Sequence, residues 1–316
     1  MASGSTGVVL AALFANGAIA VLKFVGFLLT GSPSMLSETY HSISDTGNQV
    51  FLLVGIRYSG KATSRDHPFG YGKAQFFYAF LVAVLLFGIA GWESLNHGIH
   101  AIQTAGHAEA GKFTVPVVGG RYETFWLNVA ILLAAIAFET YAFRKANEEL
   151  RRQMEEFGWG SIREAFGETS DATTLTAFTE DAIALAGAAI ALVGIVLTRI
   201  TGNGIYDAVS AAIIGVLLMG FALALAWENK RLLLGESLSR TVEQELQTAI
   251  SDHPEVVHVD SFRSVFFGPQ EAMVAAEVTF DSDLVTAEIT DRIDEIEAEL
   301  EASDGRVAMI YIEPSA

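Results

Sequence analysis

The 316-residue chain contains no cysteine, which excludes disulfides, thiolate metal ligands and cysteine nucleophiles. Positive charge is scarce: 19 Lys and Arg stand against 37 Asp and Glu, a net charge of −18 at pH 7. With an isoelectric point near 4.7, that balance excludes nucleic acid as a partner. No HExxH or comparable catalytic metal motif occurs, and no repeat of solenoid period is visible. The opening stretch MASGSTGVVLAALFANGA lacks a basic n-region and an A-x-A cleavage site. It therefore reads as a first membrane span rather than a cleaved leader.

What is present is apolar length. Hydrophobic residues make up 51% of the chain alongside 29 glycines, and mean hydropathy is +0.39. A bilayer crossing needs about 20 apolar residues, and six segments qualify, at roughly 7–30, 33–57, 74–99, 122–143, 172–198 and 205–228. The expected fold is therefore an α-helical membrane protein with six transmembrane helices. One face of the array holds Arg57, Lys61, Arg65, Lys73, Arg144, Lys145, Arg151, Arg152, Arg163, Lys230 and Arg231, the other only Lys112, Arg121 and Arg199. The positive-inside rule then puts both termini in the cytoplasm. After KRLLLGESLSR the composition becomes that of a soluble domain. TVEQELQTAISDHP has helical spacing, VVHVDSFRSVFFG and EAMVAAEVTFD read as strands, LVTAEITDRIDEIEAELEAS as an amphipathic helix, and RVAMIYIEP as a last strand. That αββαβ order predicts a small α+β sandwich over 235–316, following a membrane domain over 1–234. Its acidity fits either a high-salt cytoplasm or simple solubility.

The informative residues are polar ones inside apolar runs. His41 and Asp45 in SETYHSISDTGN are four apart and share one helical face, with Ser37 and Glu38 a turn earlier. An ionised carboxylate at mid-membrane costs about 2.5–3.5 kcal/mol on insertion scales, so it must face a cavity, a partner or a cation. Three readings fit such a pair: half of a divalent-metal site, a proton relay, or polar glue between helices. Span five carries a second acidic point, Glu180 and Asp181. With Asp181 facing His41 and Asp45 the site has three ligands. Glu180 lies about 100° further round the helix, as a ligand from the side, a proton carrier, or a group facing another helix. Asn16 and Lys23 add a hydrogen-bonder and a cation in span one. Glu93, His97, His100, His107 and Glu109 read as outer surface, and Glu139 as a snorkelling side chain.

These elements together resemble the cation diffusion facilitators, most closely the branch related to zinc transporter nine. The resemblance covers the whole chain. It is carried by HSISD in span two, the acidic pair in SDATTLTAFTEDAIALAG, LLLGES at the end of span six, and above all DHPFGYGKAQFF after span two. The family has a four-ligand site built from an HxxxD or DxxxD pair in each of spans two and five. Here span two matches at His41 and Asp45, while span five keeps Asp181 but has Ala177 four residues earlier. One ligand is missing, which shifts preference from zinc towards harder ions such as manganese or iron(II). Asp66 and His67 stand where some members bind a second metal. The same dipeptide also reads as a helix cap and turn. The family's ferredoxin-like cytoplasmic domain dimerises and often binds metal through histidines, but only His253 and His258 occur here.

The resemblance implies a homodimeric divalent-cation efflux transporter in the cell (plasma) membrane. It would exchange Zn, Mn, Fe or Co for protons, with the metal as substrate and no organic cofactor. It implies no enzyme activity. A membrane metalloenzyme and a metal-binding regulator without transport are the alternatives.

Overall fold

A computed structural model describes residues 2–104, 112–114, 121–158, 160–162, 165, 172–269 and 271–315. Helices α1 (Ala2–Thr30) and α2 (Pro33–Ser59) form a hairpin. Helix α3 (Ala74–Leu85) runs through a π-helical turn, Leu86–Gly91, into α4 (Trp92–Thr104). A two-stranded antiparallel ribbon follows, β1 (Lys112–Thr114) with β2 (Arg121–Glu123). Then come α5 (Thr124–Phe157), α6 (Ala172–Thr201) and α7 (Ile205–Leu234). Last are α8 (Arg240–Ser251), β3 (Val256–Gly268), β4 (Glu271–Phe280), α9 (Thr286–Ser303) and β5 (Val307–Ser315). The chain divides into two compact units, one of 1–54 with 78–227, the other of 55–77 with 228–316.

In the helical unit, α5 and α6 pack along one another and α1 lies against α5. Met35, Leu86, Leu132, Ile195, Ile214 and Leu218 form one buried core. Outward-facing apolar side chains such as Phe14 and Ile200 are about three-quarters exposed, the surface a bundle presents to lipid tails rather than water. Five helical runs among the described residues are apolar and long enough to cross a membrane: α1, α3 through α4, α5, α6 and α7. The sequence reading counts six. Helix α2 has the length, 27 residues, but Ser34, Ser37, Glu38, His41, Ser42 and Asp45 dilute its hydropathy, and all six are buried. Its polar face points into the bundle.

Two further differences concern continuity. Span three, read as one regular helix, contains the π-turn, whose extra residue shifts the phase of everything after it. The basic, amphipathic stretch that joins spans four and five begins as a continuation of α5 to Phe157. Arg152 pairs there with Glu149 one turn away, at 2.6 Å.

The second unit follows the expected αββαβ order. Strands β3 and β4 pair antiparallel, β4 and β5 parallel. Alternation puts Ala272, Val274, Ala276, Val278 and Phe280 of β4 on the buried face, against Leu246, Ile250, Ile296 and Leu300 of the two helices. Ser239 caps α8, accepting from Val242 N, and Glu288 closes the first turn of α9 by accepting from Val285 N at 3.0 Å. Residues 55–77 also belong to this unit. Phe76 joins its core, Phe69 stacks on Phe267 with centroids 5.0 Å apart, and Gly72 lies so close that a methyl there would strike Phe267 O.

Candidate functional site

The site is built on the buried face of α2. His41 Nδ1 and Asp45 Oδ1 lie 3.7 Å apart across one helical turn, with His41 1% and Asp45 5% exposed. Neither ring nitrogen of His41 has a hydrogen-bond partner, nor does Asp45 Oδ1. Buried polar atoms are ordinarily paired, so three orphaned atoms on one helical face mark a place prepared for something else. A dry imidazole nitrogen and a carboxylate oxygen are donors suited to a divalent metal ion.

Helix α6 brings Glu180 to this face. Its carboxylate accepts from Asn48 Nδ2 through both oxygens, at 3.4 and 3.2 Å, and its side chain lies within hydrogen-bonding reach of that of Asp45. Two ionised carboxylates repel at that distance, so the contact requires a proton or a cation between them. Asp181, the next residue, is only partly buried and lies within electrostatic reach of Glu139 on α5. The structure thus puts Glu180, rather than Asp181, against Asp45 and Asn48 of α2. Among the described residues no three His, Asp or Glu side chains stand at metal-ligating spacing. What is gathered is His41 beside Asp45, and Asp45 beside Glu180.

Charge around the pair is strongly unbalanced. Lys23 of α1 and Glu38 of α2, both 0% exposed, form an ion pair of 2.7 Å. Glu139, read from sequence as snorkelling, is instead 6% exposed. Glu38, Asp45, Glu139, Glu180 and Asp181 therefore share this interior with one lysine. Such a density of carboxylates in a low-dielectric interior needs bound protons or additional positive charge.

The remaining candidates form no ligand cluster among the described residues. Asp66 and His67 are exposed. His67 stacks on Tyr71 with centroids 4.2 Å apart, and Ser64 N donates to His67 O at 3.1 Å. The segment is a turn, and α3 starts too late for Asp66 to cap it. His97 sits edge-on to Phe27. His107, Glu109 and Arg163 lie outside the described residues. In the second unit His253 bonds Glu299 at 3.0 Å and His258 is exposed on β3. Asp207, from sequence only the start of span six, accepts from Ser32 Oγ at 2.7 Å, from Ser34 N and from Ser34 Oγ, tying the start of α2 to the start of α7. Sequence reasoning missed Asn48, whose signal was its place one turn past Asp45.

Comparison with known proteins shows the family. The cation efflux transmembrane domain family matches residues 9–234. The human mitochondrial proton-coupled zinc antiporter SLC30A9 is 29% identical over 287 residues, covering 91% of this chain and 48% of that protein. Metal tolerance protein C4 of Arabidopsis thaliana is 27% identical over 274 residues, covering 87% and 57% respectively. Magnetosome protein MamM of Paramagnetospirillum magneticum is 34% identical over 92 residues, covering 29% and 27%. The chain spans about half the length of the first two. It is an integral membrane protein, and it belongs to the cation efflux, or cation diffusion facilitator, family.

Proposed function

We propose that this chain exports a divalent first-row metal ion in exchange for protons, binding the ion between α2 and α6. The observation that carries the reading is the orphaned His41–Asp45 pair facing a carboxylate–carboxylate contact at Glu180. His41, Asp45 and Glu180 supply the first ligands, and Asp181 a further one from the α5 side. One imidazole among several carboxylates takes Zn²⁺ and also suits Mn²⁺, Fe²⁺ or Co²⁺. Exchange follows from linkage. A proton holds Asp45 to Glu180 when no metal is bound, metal displaces it, and protons arriving from the far side release the metal. Opening that site to alternate sides is the general logic of secondary transport.

The same reading makes α2 a sixth span, admitted because its polar face is buried in the bundle. The excess of Lys and Arg on one side supports cytoplasmic termini, in a cell membrane. The αββαβ unit at 235–316 is taken as the ferredoxin-like dimerisation domain, making the transporter a homodimer with no organic cofactor. A second reading, metal binding without flux, is favoured by Ala177 at the position one turn before Asp181.

The test is metal uptake into proteoliposomes under a pH gradient, with Zn²⁺, Mn²⁺, Fe²⁺ and Co²⁺ compared. The parent chain carries flux and Asp45→Ala abolishes it. Undiminished flux in the variant overturns the site, and binding without flux in the parent supports the second reading.

A further inference from the structure

Helix α2 enters the bundle at Pro33 and carries Glu38 one turn before His41, towards the end of the bundle where α2 begins. Glu38 fills the space between three helices. Its Oε2 accepts from Lys23 Nζ of α1 at 2.7 Å. Its Oε1, buried and without a hydrogen-bond partner, lies against α6, where a methyl placed on Gly187 would come within 2.6 Å of it. Gly187 stands seven residues beyond Glu180 on α6, about 10 Å along the axis. The carboxylate therefore occupies the gap between α2 and α6 that lies directly outward of the pair His41–Asp45. A lysine stem from a third helix closes it, and both side chains are inaccessible to solvent.

We infer that Lys23 and Glu38 form an ion-pair gate on the outward side of the cation site, which must separate before the ion leaves. The inference rests on the transport reading and deepens it. Lys23 holds the carboxylate across the gap while the ion is bound further in. The free oxygen of Glu38 gives a departing divalent ion its next ligand once the lysine withdraws. A glycine at 187 is what lets the carboxylate reach α6. Buried ion pairs are poor stabilisers relative to apolar packing but costly to break from one side, which suits an element that must be closed or open rather than intermediate. Glu139 and Asp45 add to the field at Lys23, so the charge in the site bears directly on the gate.

The absence of cysteine makes the test direct. His41→Cys places one thiol behind the gate, and a membrane-impermeant thiol reagent is applied from the side on which α2 begins. The thiol is shielded with the pair intact. Lys23→Met or Glu38→Gln raises its labelling rate at least about ten-fold, the scale expected when one partner of a buried pair is removed. The exchanged pair Lys23→Glu with Glu38→Lys restores shielding, which mere loosening of the fold does not do. If the single variants fail to fold, Gly187→Ala displaces the carboxylate and gives the same increase. Equal labelling in all variants, with flux present in the chain that keeps His41, overturns the gate. Absence of flux in that chain, with labelling as expected, overturns the transport reading instead.

Discussion

Replacing Glu180 by Gln separates the two adjacent acids on α6. The amide keeps the shape of the side chain, and its carbonyl oxygen still accepts from Asn48 Nδ2, as the carboxylate does at 3.2 Å. What is lost is the negative charge beside Asp45. Without metal the variant melts no lower than the parent, because the amide nitrogen can donate to Asp45 where the shared proton did. With metal the balance reverses. A charged donor of this kind contributes about 1.5–3 kcal/mol, which is about a ten- to hundred-fold change in affinity. At a metal concentration about 100 times the parent's Kd, binding stabilises the parent by about 2.7 kcal/mol and the variant by only about 0.4–1.4 kcal/mol. Thermal unfolding of purified protein with and without Zn²⁺ or Mn²⁺ reads this difference without requiring transport. Asp181→Asn, further from α2, loses less. Full metal stabilisation in Glu180→Gln together with its loss in Asp181→Asn would refute the reasoning and make Asp181 the α6 ligand.

Three further outcomes follow from the packing. Gly72→Ala drives a methyl into the Phe267 carbonyl, an overpacking cost of about 1–3 kcal/mol that appears as a lower unfolding temperature of the detergent-solubilised protein. Phe76→Ala empties a position 5% exposed in the core of the second unit and costs about 3–5 kcal/mol, read in the same assay. Arg306 donates to both oxygens of Asp304 and holds its carboxyl below the ordinary value. The stability it contributes is present above the unfolded pKa of about 3.9 and is lost as pH falls through the lower folded value. Arg306→Gln therefore separates from the parent near neutral pH, and the two melting curves converge in acid.

The soluble unit was legible because its signals are local: the two-residue alternation of Ala272 to Phe280 and the helical spacing of Ile289, Ile293, Ile296 and Leu300 survive any packing. His41 and Asp45 stood out for the same reason, as two polar groups one turn apart in an apolar run. Which of Glu180 and Asp181 turns towards α2 was not legible, because neighbouring residues differ only in helical phase and packing sets the phase. The partner of Lys23 lies 15 residues away across a hairpin, beyond any periodic signal. The π-turn sits in the uniformly apolar stretch LFGIAG, which offers no polar residue to register the shift. Phe69 and Phe76 looked like parts of a membrane-proximal loop and a span. Their partners Phe267 and Leu246 come from the far end of the chain.

The hairpin of α1 and α2 also bears on how the protein reaches its membrane. Helix α2 alone falls short of the apolarity of its five neighbours, and a lone strip bearing Glu38, His41 and Asp45 partitions poorly from the insertion machinery into lipid. Helix α1 precedes it by a turn at Gly31 and Ser32, and its Lys23 meets Glu38 within that hairpin. The two charges neutralise each other between helices adjacent in the chain. On the reading that α2 crosses the bilayer, the charge pair across the α1–α2 interface offsets the charge that α2 alone would carry into it.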